Sequence, residues 1–73
     1  MEQSKEVQLA YEIARALNDL HSIDWHIGVC KKYSSNPEFL REKVQYILSR
    51  TDIDNPAKYY TRVMTYYVKH SRG

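Results

Sequence analysis

Residues 55–70, NPAKYYTRVMTYYVKH, join a helix start to a two-sided helix. Asparagine before proline is the pairing of an N-cap with a first helical residue, because proline's fixed φ suits that position and its missing N–H is not needed there. Ala57, Tyr60, Val63, Met64 and Tyr67 then recur at helical spacing, predicting a buried stripe that runs to about His70. The same signal stands nineteen residues earlier at Asn36 and Pro37, with Glu38 favouring the helix dipole. Lys43 aligns with Arg62 and Val44 with Val63 at this offset. Two such copies are too few for a solenoid, so they read as two similarly capped helices.

Working outward, the Asn36 helix has an apolar face of Leu40, Val44, Ile47 and Leu48 beside Phe39, ending near Arg50. Before it, Trp25, Val29 and Tyr33 share a face of a short helix that either Ser22 or Asp24 can cap. Gly28 weakens that helix by about 1 kcal/mol relative to alanine, which predicts that another backbone packs closely there. From Ser4 to Leu20 the spacing of Val7, Ala10, Tyr11, Ala14, Leu17 and Leu20 gives a first helix. Leu9, Ile13 and Ala16 widen its stripe, as expected of the central element of a bundle, and Glu2 and Glu6 suit its N-terminal dipole. The expectation is one all-α domain over 1–73, a compact bundle of four helices at about 4–20, 24–33, 37–50 and 56–70. Connections of about four to five residues make neighbouring helices roughly antiparallel. Trp25 is expected to anchor the core between the first two.

At 73 residues the core must be small, since only roughly 60% of the unfolded surface of such a chain is buried on folding. Seven tyrosines, one tryptophan and one phenylalanine supply anchors that a disordered chain would lack. The single cysteine, Cys30, cannot form an internal disulfide, and neither a signal peptide nor a run of the roughly 20 apolar residues that a membrane span requires is present. A cytoplasmic location away from membranes is expected.

Charge is sided. Residues 1–30 carry two basic and five acidic side chains, a net −3, and residues 31–73 carry nine basic and four acidic ones, a net +5. Such asymmetry suits a polyanion or self-association through opposite poles. Tyr59, Arg62, Tyr66 and Lys69 fall at i, i+3, i+7 and i+10, so all four project from the outer side of the last helix. Cations neutralise phosphates and tyrosine rings stack on bases, which makes this face a candidate DNA surface. Lys58, His70 and Arg72 extend it, and Lys43 is the basic residue of the third helix placed to join it. Tyrosine and arginine are equally the anchors of protein interfaces, which is the competing reading. Lys31 and Lys32 fit the negative end of the second helix better than a ligand site.

His26 and Cys30, four residues apart, make two metal ligands at most, and two further firm ligands are missing. Cys30 is expected as a small buried apolar group, and neither metal nor cofactor is expected. Paired carboxylates, a phosphate-cradling glycine loop or a Ser/His/Asp set cannot be assembled from these residues, so the expectation is a binding protein and not an enzyme.

The stretch from Ile53 to Tyr67, with Asn55, Pro56, Ala57 and Tyr60 leading into an amphipathic helix, resembles a segment near the ends of plasmid and phage replication proteins, the initiators and replisome organisers. In those, a segment similar to Trp25 to Leu48, with an aromatic, a KKY-type end as at Lys31 to Tyr33 and a further helix, leads into an N-P-A-x-[YF] helix. The overlap covers about two-thirds of the chain. The winged-helix domain usual in such proteins has no counterpart in these residues. The resemblance therefore implies a helical accessory piece that touches DNA without sequence preference or contacts other replication proteins, and it transfers no catalytic residue. The alternative from another class is a helical protein interaction or self-association module. Preference for single-stranded or duplex DNA is left open by the sequence.

Overall fold

Ser4 sets the first element: its Oγ accepts from the Val7 N–H at 3.2 Å, an N-cap that frees the chain to wind from the next residue. In the computed structural model, which describes residues 4–70, the chain forms α1 (Lys5–Ala16), a single 3-10 turn (Leu20–Ser22), α2 (Ile23–Lys32), α3 (Pro37–Ser49) and α4 (Pro56–His70). This is the all-α four-helix bundle expected. Pro37 and Pro56 open their helices at the expected residues. Among the described residues, no helix is long and apolar enough to cross a membrane.

α1 ends four residues earlier than its hydrophobic spacing suggested. Asn18 takes a left-handed conformation, φ 55°, which asparagine tolerates better than most residues. Its N–H donates to the Arg15 carbonyl at 3.1 Å and that of Asp19 donates to the Ala14 carbonyl at 2.7 Å, the paired bonds of a Schellman motif. Leu17 stays in the core, but Leu20 is 48% exposed and Ala16 is exposed, so neither belongs to the buried stripe.

The core is built from Leu9, Ala10, Ile13, Ala14 and Leu17 at α1 and its end, Val29 and Cys30 of α2, Leu40, Val44 and Ile47 of α3, and Tyr60 and Met64 of α4. α1 is central: it packs most extensively on α2 and also on α3, while α4 packs mainly on α3. The fully buried alanines at 10 and 14 let a neighbour approach closely. The Cα radius of gyration is 11.8 Å, close to the roughly 11 Å expected for a chain of this length.

Five further expectations are corrected. Gly28 is exposed, and a Cβ built on it meets nothing within 4 Å, so close backbone packing does not explain it. Leu48 is 46% exposed, one position round the helix from the buried Ile47, and Tyr67 is 37% exposed at the edge of its stripe. The N-caps of α2 and α3, Ser22 and Asn36, make no side-chain capping bond; at α4 the Asn55 Oδ1 accepts from the Lys58 N–H at 3.1 Å. Trp25 is half-buried and reaches beyond the first helix pair, meeting the Tyr60 ring of α4 edge-on at 6.1 Å.

Candidate nucleic-acid interface

α4 is positioned by its two fully buried side chains, Tyr60 and Met64, which hold one side of the helix to the core. The opposite side follows from 3.6 residues per turn. Tyr59 is 39% exposed and Tyr66 60%, and Arg62 and Lys69 are exposed as well, so the four residues expected on the outer face are all solvent-facing. Along the axis Tyr59 to Tyr66 and Arg62 to Lys69 each span about 10.5 Å, at 1.5 Å per residue. The face alternates ring and cation over that length.

The electrostatics of α4 differ from those of the other helices. α1, α2 and α3 each carry an acidic residue in the first turn, whereas α4 carries none there, and no Asp or Glu follows Asp54 anywhere in the sequence. Among the described residues, the side chains of Lys58, Arg62 and Lys69 enter no ion pair. Arg41 of α3 and Arg50 at its C-cap are engaged. Arg41 bonds Glu38 at 2.9 Å and reaches Glu12 of α1 at 3.4 Å; Arg50 grips Asp52 with two nitrogens and also touches the Tyr46 hydroxyl. These bonds push both guanidinium pKa values up, chiefly through Glu38 for Arg41 and Asp52 for Arg50, and hold the Asp52 carboxyl below its ordinary range.

Lys58 and Arg62 form a ridge between two clefts. A cleft of about 900 Å³ lies between the end of α1, with Asn18, Asp19 and His21, and the first turns of α4. A second, of about 460 Å³, lies against the α3–α4 loop and adds Arg50, Asp52 and Tyr59. Asp54 borders both. Asp19 is already committed, accepting from the Nε2–H of buried His26 at 2.9 Å and lying 3.2 Å from exposed His21.

The remaining expected residues divide. Lys43 is half-buried at the α3–α4 seam, its ammonium 5.3 Å from the Phe39 ring and 5.2 Å from the Tyr67 ring, so it borders the C-terminal half of α4 and not the Tyr59 end. His70 is exposed in the last turn and its ring lies 4.3 Å from that of Tyr66. Arg72 lies outside the described residues. His26 and Cys30 are both buried, His26 engaged by Asp19 and Cys30 within the apolar core, and burial pushes the Cys30 thiol up to about 11.

Sequence reasoning missed an aromatic pocket at the other end of α4. Tyr33, Asn36, Phe39, Tyr66, Tyr67 and His70 line about 480 Å³. Tyr33 stacks on Phe39 at 5.3 Å, and Phe39 meets Tyr67 edge-on at 5.3 Å. These rings come from the end of α2, the start of α3 and the end of α4, so no spacing within one helix signals them.

The chain matches no family model, no curated protein and no solved structure.

Proposed function

We propose that this chain is a small helical DNA-binding accessory domain, without enzymatic activity, that holds the phosphate backbone through the outer face of α4. Lys58, Arg62 and Lys69 neutralise phosphates, Lys43 adds charge beside the C-terminal half of α4, Arg72 contributes a further cation of the sequence, and Tyr59 and Tyr66 stack on bases or anchor the backbone. The observation that carries this reading is that α4 presents exposed cations without an ion-pair partner among the described residues, on a helix with no acidic residue, while Arg41 of α3 and Arg50 at its C-cap are held by carboxylates. Cations left without partners have their charge available for a polyanion. Lys58 adds to the argument because a cation in the first turn opposes the helix dipole, so its charge costs the helix stability instead of adding to it.

Sequence preference is slight in this reading, because the outer face offers Tyr, Arg, Thr and Lys and no Asn or Gln to pair with a base edge in the major groove. The resemblance of Trp25 to Tyr67 to replication proteins of plasmids and phages places the domain, within this proposal, beside DNA replication of a mobile element in the cytoplasm. Other replication proteins are then its second class of partner.

The test is anisotropy of labelled single-stranded and duplex DNA titrated with the wild-type chain and with the Arg62→Ala/Lys69→Ala double variant, circular dichroism checking the fold. Dissociation constants of about 10⁻⁴–10⁻⁶ M, weakened severalfold in the folded variant, are expected of non-specific phosphate contact. Equal affinity of the folded variant removes the α4 face. No binding of either DNA at low salt leaves the protein interaction module, with light scattering reporting self-association.

A further inference from the structure

The aromatic pocket has features that core packing does not require. Tyr66 and Tyr67 are 60% and 37% exposed and stand nearly perpendicular, at 85°, so they present two walls at a right angle to solvent. Behind them Phe39 is held between the stacked Tyr33 ring and the Lys43 ammonium. Asn36 lies at the rim. It occupies the N-cap position of α3 without making the capping bond, and among the described residues its amide has no hydrogen-bond partner. The lining contains no acidic residue, and Lys43 places a positive charge beside it. A volume of about 480 Å³ falls within the range of roughly 300–1,000 Å³ typical of small-ligand sites.

Resting on the DNA reading, we propose that this pocket receives one unpaired nucleobase of a single strand, stacked on Tyr66 or Tyr67 and hydrogen-bonded at its edge by the Asn36 amide. An exposed ring accepts the face of any base, and an asparagine amide, donor and acceptor together, matches the donor and acceptor on a purine edge. Tyr66 belongs both to the outer face of α4 and to this pocket, so a strand whose phosphates follow Arg62 and Lys69 passes its rim. Charge distinguishes this occupant from a partner's apolar side chain, because Lys43 stands beside a lining that carries no acidic residue, and a nucleotide's phosphate satisfies that cation. The pocket makes the protein a binder of single-stranded DNA in preference to duplex, whose bases are stacked and paired and whose extrusion costs energy.

The test compares a short oligo-dA strand carrying one fluorescent purine analogue with an abasic strand of the same length, both at low salt against the full chain. The proposal expects the analogue's emission to change on stacking and the abasic strand to bind at least about fivefold more weakly, up to about 150-fold, as loss of one stacked base entails. An Asn36→Ala/Tyr66→Ala variant, whose altered side chains are exposed and make no core contact, should reduce binding of oligo-dA towards that of the abasic strand. If the abasic strand binds as tightly as oligo-dA, the base pocket is overturned and phosphate binding by α4 stands. If neither strand binds, both readings fall, and self-association seen by light scattering then assigns the rings to a protein interface.

Discussion

Asp19 joins the end of α1 to α2. Its backbone N–H closes the end of α1 on Ala14, and its carboxylate, buried with the side chain, receives the Nε2–H of His26 in α2. On the far side of that ring the His26 Nδ1 is buried without a partner among the described residues, as is the Tyr60 hydroxyl, whose ring stacks on His26 at 5.8 Å. The polar cluster is therefore satisfied at Asp19 alone. Replacing Asp19 with alanine leaves a buried N–H unpaired, and the expected loss is about 1–3 kcal/mol in urea unfolding. An unchanged midpoint would mean that the bond contributes nothing. Cys30 and Tyr60 make stability fall in alkali. Burial raises both pKa values, so the unfolded chain releases these protons first and stability is lost with rising pH. The thiol's contribution is intact below its ordinary value of 9.0 and is lost as pH rises through about 11, with Tyr60 acting in the same direction at higher pH. Urea unfolding at about pH 8 and pH 10 checks this, lower stability at the higher value being expected.

At the scale of elements, helix starts were legible and one helix end was not. Asn-Pro marks the opening of α3 and of α4, because the pair fixes φ and omits a donor where neither harms the helix. The end of α1 was obscured because Leu17 and Leu20 continue its spacing, and the decisive residue is Asn18, whose left-handed φ stops the helix before Leu20 can turn inward. Gly28 was misread for a different reason. Its cost within a helix suggested a packing role, and only the space around it, empty within 4 Å of a built Cβ, contradicts this. Gly28→Ala should therefore stabilise the protein by about 0.5–1 kcal/mol, raising Tm by roughly 2–8 °C in a domain of this size. A lower Tm would show a contact absent from this structure. Lys58 offers the reverse test. Lys58→Gln removes a cation from the first turn of α4 and is expected to stabilise the fold by about 0.3–1 kcal/mol. The same change should weaken DNA binding, so a variant that is more stable and binds equally well would separate Lys58 from the interface.

Across the whole molecule, the sided charge of the sequence resolves into structure only in part. The acidic half contributes Glu12, which ties α1 to Arg41, and Asp19, which turns inward to His26. The basic half is divided between Arg41 and Arg50, held by carboxylates, and the cations of α4, which enter no ion pair among the described residues. The outer face of α4 was readable from its spacing alone, because a single helix determines which of its side chains share a side. The aromatic pocket was not readable, because Tyr33, Phe39 and Tyr67 meet only once α2, α3 and α4 are packed.

Phosphate binding by the outer face of α4 is tested by the salt dependence of duplex DNA affinity. Three phosphate contacts, from Lys58, Arg62 and Lys69, predict a slope of roughly −2.7 in log K against log salt, about a fortyfold loss between about 50 and 200 mM salt, falling to roughly −0.9 in the Arg62→Ala/Lys69→Ala variant. Binding that ignores salt, or a slope that the double variant leaves unchanged, would rule out phosphate contact by Arg62 and Lys69.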